Sequence, residues 1–246
     1  MTKDFLLNKN ILITGATSGI GKSLTKYLSE HGANILMLSK DESKLDVLYD
    51  EILKKYNTVP CIFKCDLQKL NEDSAIEINK IINENYSGID AVIFNAAALD
   101  KMSDIESYDL ATWEKILKIN LTSIFLIAKN LIPMLKESSN PRIIFTTSSV
   151  GKKGKAFWGA YSVSKAGLNA LSEIIADEVE SVSNIKIFNF DPKATRTKMR
   201  SLAYPAENPN TIKDPLKLMD YYLWMLSEDS SSSNEIHIEY RDDKFR

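Results

Sequence analysis

The chain has 246 residues, 44% apolar and 26% charged, with 31 Lys and Arg against 33 Asp and Glu for a formal charge of −2. That make-up belongs to a globular protein with room for a sizeable core; it excludes a disordered tail, a fibre and a disulfide-stapled miniprotein. A near-neutral balance supplies no electrostatic pull toward nucleic acid or anionic lipid, so no nucleic acid and no membrane is expected as a partner.

The start, Met1 to Asn8, has no long apolar stretch ahead of a small-residue cleavage site. No uninterrupted apolar run nears the roughly 18 residues of a membrane span, so a cytoplasmic location is expected. A first strand over residues 10–14 runs into a glycine turn and a helix over 20–31. Strands then follow at 33–38, 61–65, 91–94, 142–147 and 185–190, and helices at 43–56, 73–86, 112–136, 160–182 and 214–226. Apolar strands alternating with helices predict a single α/β domain over 1–246, a doubly wound, mostly parallel sheet with helices on both faces. Residues 235–240 would add a seventh, edge strand. The charged end, 241–246, is expected to fray. Residues 193–213 form the longest connection, over the carboxyl edge of the sheet where such folds bind ligands.

Cys61 and Cys65 lie on one predicted strand, where four steps hold them about 13 Å apart, too far to bridge. They read as core thiols in a reducing compartment. His31 and His237 have no metal-ligand spacing, so no metal is expected.

The turn Gly15-Ala16-Thr17-Ser18-Gly19-Ile20-Gly21 joins the first strand to the first helix. Gly15 can take a turn conformation that bulky residues avoid, Gly19 lets backbone approach a phosphate, and Gly21 lets the helix pack on the sheet. Amides of the helix N-terminus would then face an anion, which points to a dinucleotide. An acid at the end of the second strand would select NAD through the ribose hydroxyl. Here Ser39 stands at that place and Lys40 follows, which favours NADP(H) over NAD(H).

Tyr161 and Lys165 are four apart at a helix start, so both side chains leave one face. A nearby ammonium favours the phenolate and lets tyrosine exchange a proton. Thirteen residues before Tyr161, Ser148 follows an apolar strand and offers a hydroxyl for a substrate oxygen.

Together these motifs resemble the short-chain dehydrogenase/reductase family, over about residues 7–226. Gly15, Gly19 and Gly21 match its cofactor turn, and Asp66, followed by Leu67, matches its adenine-contacting acid. Asn95-Ala96-Ala97 matches its Asn-Ala-Gly element. The resemblance implies a Rossmann fold and a catalytic set Asn120, Ser148, Tyr161 and Lys165: Tyr161 protonates a carbonyl oxygen, Ser148 positions it, Lys165 binds the nicotinamide ribose, and Asn120 holds a water. It also implies cofactor contacts at Pro192, Thr195 and Thr197, and a homodimer or homotetramer through the long helices. Within the family, residues 150–161 and 195–200 look like the YciK-type bacterial oxidoreductases.

Two positions depart from the family pattern. Ala97 replaces the glycine of Asn-Ala-Gly, and Lys193 replaces the glycine that usually follows Pro192. The expected activity is reduction of a small-molecule carbonyl, a ketone or 3-oxoacyl-like compound, to an alcohol. The alternative is an NADP-binding sensor with little catalysis. Phe157, Trp158, Leu99, Met199, Leu202 and Tyr204 would line an apolar substrate pocket, with Phe157 and Trp158 equally suited to a subunit interface. Lys152, Lys153 and Lys155 would either receive an acidic carrier or form solvated surface. A serine hydrolase is disfavoured because no Gly-x-Ser-x-Gly elbow is present.

Overall fold

A computed structural model describes residues 3–242. Seven strands form one sheet: β1 (Asn10–Thr14), β2 (Asn34–Ser39), β3 (Cys61–Lys64), β4 (Ala91–Phe94), β5 (Arg142–Thr146), β6 (Lys186–Asp191) and β7 (His237–Glu239). The spatial order is β3-β2-β1-β4-β5-β6-β7, and every pairing is parallel. Helices fill the crossovers: α1 (Gly19–Glu30), α2 (Glu42–Lys55), α3 (Glu72–Asn85), α4 (Leu110–Leu117), α5 (Ser123–Leu135), α6 (Ser149–Lys152), α7 (Gly159–Glu180), α8 (Lys198–Ala203) and α9 (Met219–Leu226).

The strands read as continuous apolar runs because both sheet faces are covered. Ile11 and Ile13 of β1 pack into one layer with Leu24 and Leu28 of α1, Leu48 of α2 and Tyr222 of α9. Leu12, on the opposite face, packs with Ile78 of α3, Leu131 of α5 and Ile175 of α7. Local signals set the helix starts: Asp41, Asn71 and Asp109 cap α2, α3 and α4 by accepting from Lys44, Ser74 and Thr112 amides.

Several expectations shift. The predicted helix over 112–136 is α4 and α5 joined through a π-helical turn, Lys118–Thr122. The whole run, Leu110–Leu135, has the length and hydropathy of a membrane span; here Ile116, Ile124, Ile127 and Leu131 are buried in the protein core. The predicted edge strand 235–240 shortens to three residues, since β7 has a single neighbour, β6. The two cysteines are free but half-buried rather than core, because β3 is the other edge. Of the end expected to fray, residues 243–246 lie outside the described residues. Arg241 is tethered, its amide donating to the Tyr221 hydroxyl at 2.6 Å.

Chain order reverses between β1 and β4, so their carboxyl ends open a crevice. The long connection after β6 carries α8 and lies across it.

Candidate active site

The crevice is a cleft of about 460 Å³ along the carboxyl edge of the sheet. At its β1 end, Gly15 and Gly19 have φ of 68° and 49°, the left-handed region. Gly21 is required for another reason: a Cβ there would lie 2.2 Å from the Gly15 carbonyl oxygen and 2.8 Å from Asn95 Nδ2. Ser18 caps α1 without a side-chain hydrogen bond, so the first-turn amides of α1 stay available to a ligand. Across the turn sits Thr197, whose methyl would be 3.1 Å from a Cβ on Gly19.

Next to the turn, the Thr17 and Ser39 hydroxyls share a hydrogen bond of 2.8 Å. Asp41, the nearest acid to Ser39 on this connection, is used as the α2 cap. The β4 end is fixed by Thr14, whose hydroxyl accepts from the Asn95 and Ala96 amides at 3.0 Å each. Asp66, Leu67, Ser39 and Lys40 line the far end of the cleft.

At the other end, α7 presents Tyr161 and Lys165 one turn apart, and β5 delivers Ser148. Tyr161 is 7% exposed and Lys165 1%. Lys165 Nζ donates to the Thr146 carbonyl oxygen at 2.7 Å. Ser148 and Tyr161 line the cleft together, and the Ser148 hydroxyl favours the ionised phenol. Burial, with the negative charge of Asp191 adding to it, pushes Tyr161 up to about 12 against the opposing influence of the Ser148 hydroxyl. Burial alone pushes the Lys165 ammonium down to about 8. Asn120 sits in the π-helical turn, fully buried. Its amide clamps Ala98, donating to the carbonyl at 2.9 Å and accepting from the N–H at 2.6 Å, and also donates to Ser164 Oγ at 3.1 Å.

Every sequence-predicted site residue except Asn120 and Gly21 lines this one cleft. Both exceptions lie directly behind it, one through Ala98 and one beneath Gly15. Pro192 and Thr195 line it beside Lys193, which adopts φ of 53°. A lysine thus takes a left-handed conformation that favours glycine. Of the expected pocket residues, Leu99, Trp158, Met199 and Tyr204 line the cleft. Phe157 and Leu202 do not, being 58% exposed each. Trp158 packs between Tyr161 and Tyr204, with ring centroids 5.5 and 6.1 Å away. Asp191 is a lining residue that the sequence reading passed over. Its only local signal is an acid closing the strand just before a proline.

The cradle fits a dinucleotide: glycines at 15 and 19 leave backbone alone at the phosphate place, and a side chain at Gly21 would collide with the Gly15 carbonyl behind it. Among the described residues no group of acids, histidines or cysteines is arranged to hold a metal ion.

The sequence signature of the short chain dehydrogenase family matches residues 9–208. The chain is 32% identical over 228 residues to the uncharacterized oxidoreductase YciK of Escherichia coli (strain K12), covering 93% of this chain and 90% of that one. It is 29% identical over 176 residues to the 3-oxoacyl-[acyl-carrier-protein] reductase FabG of Aquifex aeolicus, covering 71% and 69%. A short chain dehydrogenase of Escherichia coli CFT073, crystallised with NADPH, superposes with a TM-score of 0.92 at 31% identity, covering 97% of this chain and 99% of the other.

Proposed function

The chain belongs to the short-chain dehydrogenase family of oxidoreductases, and from that premise we propose that it is an NADP-dependent reductase of a carbonyl compound with apolar or aromatic bulk. The observation that carries this reading is one cleft with the glycine turn at one end and Ser148, Tyr161 and Lys165 at the other.

A bound reduced nicotinamide supplies a hydride to the carbonyl carbon. Tyr161 donates its phenolic proton to the carbonyl oxygen, and the resulting phenolate is stabilised by the Ser148 hydroxyl and the Lys165 ammonium. Ser148 also holds the substrate oxygen. Lys165, pinned by Thr146, would contact the nicotinamide ribose, and Asn120, which fixes the Ala98 backbone, would hold a water that relays protons from solvent. Thr195 and Thr197 would bind the carboxamide and phosphate ends, with Pro192 in the same wall of the cleft.

Selection of NADP follows from Ser39 and Lys40, because no carboxylate stands at the end of β2 to accept from a ribose hydroxyl and repel a phosphate. The NADPH complex of the structural relative supports the same choice. Apolar bulk is favoured by Leu99, Val150, Trp158 and Met199, which line the cleft beside Tyr161. Lys193 has both carboxylate partners within 3 Å, so it is held rather than thrust at the nicotinamide, which favours catalysis over mere sensing. The reading includes one domain, a cytoplasmic location and a homodimer or homotetramer; exposed Phe125 on α5 and Val163 on α7 give the long helices apolar surface for a second copy.

The test is consumption of NADPH against NADH by purified protein with aryl ketones, quinones and acyl thioesters. NADPH oxidation with an aromatic or apolar carbonyl is expected. Tight NADPH binding with no oxidation across the panel would favour the sensor instead.

A further inference from the structure

Lys193 occupies a backbone conformation that favours glycine, with φ of 53°. Its side chain is held in turn. Nζ lies 2.9 Å from Asp191 Oδ2 and 2.8 Å from Glu239 Oε2, while its backbone amide donates to Asp191 Oδ1 at 2.8 Å. The other oxygen of Glu239 accepts from Lys152 Nζ at 2.5 Å. Four alternating charges, Asp191, Lys193, Glu239 and Lys152, thus join the end of β6, the edge strand β7 and α6, the helix that Ser148 caps.

Asp191 is 2% exposed and lines the cleft together with Tyr161. A carboxylate buried this deeply requires a counter-charge. The other cations nearby do not supply a steady one. Lys165 donates to the Thr146 carbonyl oxygen. Lys213 donates to the Ala194 carbonyl oxygen at 2.6 Å, and burial brings it down to about 8 despite the charges of Asp242 and Asp191. Arg200 is forked by Glu207 at 2.6 Å on both arms. Lys193 behaves differently: burial disfavours its charge, but Glu239 and Asp191 outweigh that and hold it above the ordinary lysine value.

We propose that Lys193 is a positioning residue that keeps the buried Asp191 carboxylate in an ion pair and thereby weakens the hold of its charge on the Tyr161 phenol. The inference rests on the role given to Tyr161 above. An unopposed carboxylate beside the phenol favours its protonated form, so the phenolate needed to oxidise an alcohol forms only at higher pH. The glycine that the family places here carries no charge, so in this chain a lysine and an aspartate have to be matched as a pair.

The test compares wild type with Lys193→Gly, which the backbone accepts, with the charge-keeping Lys193→Arg, with Asp191→Asn and with the double variant Asp191→Asn/Lys193→Gly. The pH profile of alcohol oxidation with NADP is the first readout. The second is NMR of ring-labelled tyrosine in cofactor-free protein, titrated through the alkaline range, with Tyr161→Phe identifying the resonance. Lys193→Gly is expected to move both midpoints up by about one pH unit and Asp191→Asn to move them down by about as much, the scale of one charge at short range. Lys193→Arg and the double variant are expected to stay near wild type. Midpoints that do not move, or a double variant that shifts as far as Lys193→Gly, overturn the proposal. Should no alcohol be oxidised at all, the downward NMR shift in Asp191→Asn, and its loss in the double variant, still decide it, and the functional reading alone has failed.

Discussion

Lys165 holds its ammonium 5.7 Å from the centre of the Tyr161 ring, one turn along the same helix. The pair is buried in the wall of the cleft, so its mutual influence is weakly screened by solvent. Replacing Tyr161 by Phe removes the proton donor while keeping the packed ring. Turnover of a reactive ketone should fall by roughly 10²–10⁴-fold, with NADPH affinity by fluorescence titration and the melting temperature unchanged.

The same pair predicts a pH dependence. Burial lowers Lys165 to about 8, so its charge is present below that pH and lost above it. Losing the charge raises the phenol's hold on its proton, making Tyr161 a poorer acid. Therefore kcat/KM for reduction should decline as pH rises through about 8. In Lys165→Met that limb should vanish, leaving a slower, flat profile.

Gly21→Ala should damage fold and cofactor site together. The added methyl would meet the Gly15 carbonyl oxygen at 2.2 Å, and a backbone atom cannot swing aside. Overpacking of this kind costs about 1–3 kcal/mol. Urea denaturation should register that loss, and NADPH affinity should weaken because Gly15 is displaced.

Ser39→Asp places a carboxylate at the end of β2, beside Thr17. It should accept from an adenosine ribose hydroxyl and repel a phosphate there. The ratio of kcat/KM for NADPH over NADH is expected to drop by roughly 10–100-fold, equivalent to about 1.4–2.8 kcal/mol. Steady-state rates with the two cofactors check this.

What the sequence made legible was local. The Gly15 to Gly21 turn, Tyr161 with Lys165 and the alternation of apolar strands with helices each lie within one helical turn or one βα unit. Their spacing carries their geometry. Contacts between distant segments were not readable: Lys152 meets Glu239 across 87 positions, so nothing in Pro192-Lys193 announced that the lysine would be ion-paired. Asn120 was named from its position alone, and the π-helical turn that aims its amide at Ala98 has no simple residue signature. Phe157 and Leu202 misled because an aromatic or apolar residue near a cleft need not face it; each sits on the outward side of its segment.

Hydride transfer from NADPH to a carbonyl carbon, with Tyr161 as the proton donor, can be followed with deuterium. Purified protein is incubated with an aryl ketone and NADPH deuterated at the nicotinamide C4, and the alcohol is analysed by mass spectrometry and NMR. One deuterium at the carbinol carbon is expected for wild type, with product formation nearly abolished in Tyr161→Phe. Alcohol formed without deuterium, or at an equal rate in the variant, would contradict the account.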